Sequence, residues 1–420
     1  MSEKWYDGLN SVEVAMTQRD FDEDGQPCSF SNKPMKSKRA FFPLYSFENG
    51  VSLYKGVEVG EGGYVYAKPG IYGNVALLDI ASMHPHSAIN MCLFGPKFTK
   101  RFAELVLGRI YIKHKDFDSL KEILDGKFMK YTNDEQSLKD LDTVLKVPIN
   151  AVYGQTAAHY KNAFRHPDNV DNIVAKRGAL FMVNLKEQVE KKGYTVVHIK
   201  TDSIKIADAD DDIIKFVMEY GMEFGYTFEH EATYDRICLV NDAVYIARYN
   251  ERGKINKGGK GALTWTPTGA EFAHPYVFKK LFSHEEITEE DKLEIKNVTG
   301  DGKMYIVHDD GKMDFVGKAG GFIPVTSTCP YGGTLMAFRP DKNTGEMKRG
   351  NVTGTKGYSW ALYSDATKPY YDPSYHENKV KEAVDHIQEF GDASAFLDTS
   401  LKYDVPLDDD PPWDKITTAK

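Results

Sequence analysis

Cysteine is scarce in this chain: Cys28, Cys92, Cys238 and Cys329 are scattered through 420 residues with no CxxC spacing. That argues against a zinc site or a disulfide scaffold and fits a reducing compartment. Long apolar runs are also missing. The strongest, GALFMVNL at 178–185, is far short of the roughly 20 residues a membrane span needs. The first residues, MSEKWYDGLN, lack the basic-then-apolar pattern of a secretory signal, so a cytoplasmic protein is expected, in the host cytoplasm if the source is viral, with no membrane partner. Nor is there an excess of positive charge: 53 basic against 62 acidic residues leave a net charge of −9, which argues against indiscriminate nucleic-acid binding through bulk charge. Any phosphate binding must come from cations gathered on one face. What remains is a chain 41% hydrophobic, long enough for two or three folding units.

Residues 1–60 are poorly periodic. Two strand-like runs follow, YVYA and NVALLDI, separated by a Pro-Gly turn. Helical spacing then predicts helices over about 99–124, 135–163, 172–193 and 210–224, with the stretch HIKTDSIKI (198–206) between the last two reading as a single alternating strand. The Gly/Lys-rich stretch NERGKINKGGKG reads as a loop at a domain boundary. Beyond it the chain is strand- and turn-rich, with one clear helix at about 374–390 and a solvated tail that carries LDDDPPW and Trp413.

Three constellations carry chemistry. LLDIASMHPHSAI ends an apolar strand on Asp79 and turns through Ser82, His84 and Pro85, which presents a carboxylate beside a cleft; a turn or helix cap is the plainer reading. KVPINAVYG places Lys146, Asn150, Tyr153 and Gly154 on one helical stripe, with Pro148 expected to kink the helix. One helix earlier, Arg109 and Lys113 are four residues apart, so that three cations could converge on a triphosphate; a solvated helix face is the alternative. In HIKTDSIKI, Lys200 and Asp202 fall at i and i+2, on one face if the stretch is a single strand, and a surface ion pair is the bland account. Two carboxylates on separate strands, Asp79 and Asp202, can bridge two magnesium ions for an in-line displacement at phosphorus.

In this order the motifs resemble the polymerase half of family B DNA polymerases, particularly the compact phage forms. LLDIASMHPHSAI is similar to that family's motif A, KVPINAVYG to motif B, HIKTDS to motif C, and GGYVYAKPG to the glycine-rich segment before motif A. The resemblance implies an α+β fold with an antiparallel palm sheet and helices, a helical fingers insertion and a β-rich C-terminal module in the thumb position. It implies the following organisation: an N-terminal segment at 1–60, palm at 61–96 and 164–260, fingers at 97–163, and the module with its acidic tail at 261–420. It also implies templated addition of dNTPs to a primer 3′ end on DNA, with two Mg²⁺ that Mn²⁺ can replace. Asp79 and Asp202 would be the catalytic metal ligands, joined by the backbone at Ile80. Arg109, Lys113, Lys146, Asn150, Tyr153, Gly154 and His84 would bind the nucleotide. Gly62, Gly63, Lys200, Tyr245, Lys254, Lys257 and Lys260 would contact DNA.

The chain departs from the pattern at several points. Lys200 stands where motif C usually has an acid, His84 replaces the motif A tyrosine, and Ala151 replaces a motif B serine. DAVY (242–245) keeps Tyr245 but lacks the lysines that usually precede it, with Arg248, Lys254, Lys257 and Lys260 as substitutes; a basic loop without a role is the alternative. Residues 1–60 are too short for an exonuclease fold, so proofreading is expected from a separate protein. The rival reading is a catalytically weakened, polymerase-like DNA-binding replication protein.

Overall fold

The structure is a computed structural model that describes residues 45–48, 51–60, 62–90, 95–157, 173–341 and 344–400. Cys28, Cys92 and Trp413 lie outside them. The described chain forms two compact units, one running to Asp242 and including Arg248–Thr264, the other made of Ala243–Ala247 and the chain from Trp265 onward. The expectation of a mixed α+β fold with an antiparallel sheet holds.

The first unit opens on a small sheet, β1 (Tyr45–Glu48), β2 (Val51–Tyr54) and β3 (Val57–Glu58), where the sequence showed no periodicity. Then come β4 (Val65–Ala67), β5 (Gly70–Ile80), α1 (Met83–Asn90), α2 (Gly95–His114), α3 (Phe117–Lys121), α4 (Glu135–Ala157) and α5 (Ile173–Lys191). β6 (Thr195–Lys200), β7 (Ser203–Ala207), α6 (Asp211–Glu223), β8 (Phe228–Leu239) and β9 (Tyr245–Lys254) complete it. The main sheet runs β9-β8-β5-β7-β6-β4, with the longest strands at its centre. Alternation decides which face is dry. Ala76, Leu78 and Ile80 of β5, with Ile204 and Ile206 of β7, pack against Ala179, Leu180 and Val183 of α5 and Ile213 and Val217 of α6. A second core joins α1, α2 and α4 through Ile89, Phe102, Val106, Leu141, Leu145 and Ile149.

Two expectations are corrected. HIKTDSIKI is two strands, since the chain reverses at Thr201–Asp202 and Lys200 pairs with Ser203. The alternation survives because a two-residue turn preserves the inward and outward pattern on each side. The helix expected to run to 124 stops at His114, because Asp116 starts α3 by accepting a hydrogen bond from the Ser119 N–H. Pro148 lies inside a continuous α4, on its exposed face, where water can take up the carbonyl that proline leaves unbonded. Of the helix expected over 135–163, the last residues lie outside those described.

The second unit contains β10 (Trp265–Thr268), α7 (Pro275–Phe278), β11 (Glu294–Asn297), β12 (Lys303–Val307), β13 (Met313–Gly317), β14 (Ala319–Val325), β15 (Thr334–Pro340), β16 (Met347–Asn351), β17 (Ser359–Leu362), α8 (Ser374–Gln388) and α9 (Ala393–Leu397). Two sheets, β11-β14-β17 and β13-β12-β15-β16, enclose Met304, Phe322, Leu335 and the fully buried Trp360, which Tyr375 of α8 meets edge-on.

The β6–β7 turn has an unusual support. Thr201 adopts φ +59°, costly for a β-branched residue, and its amide donates to Tyr64 O at 2.9 Å. Gly63 lies against it: a Cβ there would meet Thr201 Cγ2 at 2.9 Å, whereas a Cβ on the exposed Gly62 would meet nothing within 4 Å. Gly63→Ala is therefore expected to cost about 1–3 kcal/mol and Gly62→Ala less than about 0.5 kcal/mol, read by urea unfolding. Equal losses would show that the glycine contact does not hold the turn.

Candidate active site on the sheet

Asp79 projects from β5 on the face opposite Leu78 and Ile80, and the β5–β7 register sets it across from Ser203, the residue after Asp202. The Ile80 N–H donates to Asp202 O at 2.9 Å, and the Asp202 N–H donates to Lys200 O at 2.8 Å. Backbone bonds thus hold the tip of one hairpin against the end of the neighbouring strand. The structure brings Asp79, Ile80 and Asp202 together as the sequence implied.

Two further acids join them. Glu229 of β8 pairs with Asp79, and β8 slips its register between Leu77 and Leu78 of β5, leaving Glu231 as the extra residue of a bulge. Asn256 donates to Glu231 Oε1 at 3.2 Å. Burial first, then Asp202, Glu231 and Glu229, push the Asp79 carboxyl up to about 7, against the opposing pull of Lys205. Burial also raises Asp202, and Glu231 adds to the rise. Asp79 and Asp202 are carboxylates partly removed from water, the oxygen ligand type that hard divalent cations such as Mg²⁺ take.

One cation faces this cluster from within the sheet. Lys205 of β7 is almost fully buried, and its Nζ lies 3.0 Å from His198 Nδ1. The His198 Nε2 lies 3.1 Å from Asp242 O. Burial and then Lys205 lower His198 to about 4, so the ring is neutral at neutral pH. A carbonyl oxygen only accepts, so Nε2 carries the proton and Nδ1 accepts from the lysine. Burial and then Lys200 lower Lys205 to about 8, while Asp79 and Glu231 draw it upward. Sequence reasoning missed Lys205, His198, Glu229 and Glu231. Their trace was charged and polar residues recurring inside apolar strands, as in HIKTDSIKI and FEHEA.

The other expected residues are more dispersed. Lys200 is exposed on a strand that ends before Asp202, so the shared-face geometry expected for the two residues does not exist. Arg109 Nε lies 2.9 Å from Asp142 Oδ1 in an ion pair joining α2 to α4, while Lys113 and Lys146 are exposed. Asn150 and Gly154 are exposed on α4; the side chain of Tyr153 lies outside the described residues. His84, half-buried in the first turn of α1, is pushed below the usual histidine value by burial. Gly63 packs on Thr201, and Gly62 is exposed beside it. Lys254 lies over the Tyr249 ring and its amide donates to Lys260 O, closing a loop from which Lys257 and Lys260 project. Arg248 pairs with Asp235 at 2.7 Å. Tyr245 begins β9, in the stretch assigned to the second unit.

The raised Asp79 carries a stability cost with a defined pH window. The folded protein keeps its proton up to about pH 7, whereas an unfolded chain releases it near 3.9. Stability therefore falls as pH rises between those values, and the full cost remains above pH 7. At about 1.4 kcal/mol per pH unit, the upper bound is roughly 4 kcal/mol. In chelator-containing buffer, Asp79→Asn is expected to be more stable than wild type at pH 8, the gap closing towards pH 4. A gap independent of pH in urea unfolding would contradict this assignment.

No family model matches the chain, and no curated protein matches it. Among solved structures, the chain is similar to the family B DNA polymerase of the hyperthermophilic archaeon Pyrobaculum calidifontis, with a TM-score of 0.40 and 12% identity over 81% of this chain. The match spans 46% of that polymerase, so this chain corresponds to about half its length.

Proposed function

We propose that the protein is a DNA-templated DNA polymerase that adds dNTPs to a primer 3′ end by two-metal nucleotidyl transfer. The observation that carries this reading is the convergence of Asp79, at the end of β5, and Asp202, in the β6–β7 turn, beside Glu229 and Glu231. The order of the three motifs supports DNA and dNTPs as the substrates. A role in phage genome replication follows from the motif resemblance alone.

Asp79, the Ile80 carbonyl and Asp202 would hold two Mg²⁺, which supply an activated primer hydroxyl and charge stabilisation at phosphorus. The chain's own residues do the rest. The backbone bond from Ile80 to Asp202 holds the hairpin tip that carries Asp202 against the end of β5 that carries Asp79 before anything binds. Lys205, held by His198, limits how far the Asp79 pKa rises and so keeps that carboxyl ionisable near neutral pH. Lys113, Lys146 and Asn150 are exposed on the fingers helices to meet the triphosphate and the nascent pair. Lys200, Lys257 and Lys260 lie exposed for the DNA backbone.

A second reading, a polymerase-like DNA-binding protein with weakened turnover, has one observation in its favour. Arg109 and Arg248, two cations expected at phosphates, are already paired with Asp142 and Asp235.

Extension of a labelled primer on a DNA template separates the two. Polymerase activity requires extension with Mg²⁺ and its loss by about 10³-fold or more in Asp79→Asn and Asp202→Asn. DNA binding without extension under Mg²⁺ or Mn²⁺ would favour the second reading. Lys205→Met is expected to move the acidic limb of the pH–rate profile to higher pH, because Asp79 loses the buried cation that draws its pKa down. An unmoved limb would leave Lys205 with a packing role.

A further inference from the structure

We propose that His274, Glu294 and His376, in the second unit, form a binding site for one zinc ion. The inference is independent of the polymerase reading. Cysteine spacing argued against zinc, but that argument does not touch a site made of imidazole and carboxylate. His274 immediately precedes α7, Glu294 begins β11, and His376 lies in the first turn of α8. Their ligating atoms all fall within 4.8 Å of one another.

The donor set is the first argument. Two imidazoles and one carboxylate match a borderline divalent ion such as zinc and mismatch Mg²⁺ or Ca²⁺, which take oxygen ligands. Spacing is the second. His376 Nε2 lies 3.5 Å from Glu294 Oε1, close to the roughly 3.4 Å between ligands on a tetrahedral zinc with bonds of about 2.0–2.1 Å. His274 Nε2, at 2.5 Å from the same oxygen, would have to withdraw by less than about 1 Å.

Orientation is the third. His376 is fully buried, yet its Nε2 has no hydrogen-bond partner among the described residues, while its Nδ1 lies 2.9 Å from the Tyr371 hydroxyl. A histidine whose far nitrogen is held by a second group while the near one aims at a shared point is arranged as a metal ligand. Lys296 takes the other carboxylate oxygen, Glu294 Oε2, at 2.8 Å, which turns Oε1 towards the histidines. Binding replaces the proton that His274 shares with Glu294; that proton leaves to solvent. Three protein ligands leave the fourth tetrahedral position to water.

The full chain, stripped with EDTA, reloaded with Zn²⁺ and desalted, is to be assayed for bound metal by mass spectrometry. Asp202→Asn serves as a background in which the sheet carboxylates are weakened. Wild type and Asp202→Asn should each keep about one zinc per chain, and Glu294→Gln and His274→Gln should keep less than about a tenth of that. Zinc should raise the melting temperature of both wild type and Asp202→Asn. Cobalt loaded into wild type should give the visible bands of tetrahedral N,O coordination, a readout that needs no variant to fold. Wild type that retains no zinc, or zinc content unchanged in both Glu294→Gln and His274→Gln, would overturn the site. In that event the cluster is a hydrogen-bonded hub only.

Discussion

Everything in the first unit turns on one electrostatic constraint: four acidic side chains, Asp79, Asp202, Glu229 and Glu231, gather where water has been partly removed. Left alone, such a cluster pushes strands apart or takes up protons. The fold resists the first outcome with backbone. The Ile80 N–H binds Asp202 O, the Thr201 N–H binds Tyr64 O, and Leu78 and Ile80 lock into the core on the other side of the same strand. Carboxylate repulsion thus acts against a sheet that packing has already fixed.

The second outcome is moderated by Lys205. Its position inside the sheet costs desolvation, offset in part by the neighbouring acids and by the bond to a neutral His198. The unit therefore carries a site less stable than its surroundings, which is the usual condition of a site built to receive charge from outside. On the proposed function, cations that neutralised the acids would stabilise the folded state as they prepared it for a phosphate-bearing ligand.

Much of the architecture was legible in the sequence. Apolar alternation marked β5, the 3.6-residue period marked α2, α4, α5 and α6, and an acid at the end of an apolar strand marked Asp79. The β6–β7 turn was not legible, because TD carries none of the Asn-Gly or Gly-containing chemistry of a two-residue hairpin. Its positive-φ threonine is supported by Gly63, more than a hundred residues earlier. The same distance problem hid the partners of charges. Nothing local to Arg109 announces Asp142, nothing local to Asp79 announces the bulge that delivers Glu231, and the His274, Glu294 and His376 cluster is assembled from three separate elements. Period and turn chemistry report what neighbours do; charge pairing is settled by tertiary contact.

The most direct test of the central claim is a crystal of the protein with primer-template DNA, a non-reactive dNTP analogue and Mn²⁺, with metals located by anomalous scattering. The account predicts two manganese peaks about 3.5–4 Å apart, shared between the carboxylates of Asp79 and Asp202. Nucleotide bound with no metal at these two residues, or metal held elsewhere on the sheet, would contradict it.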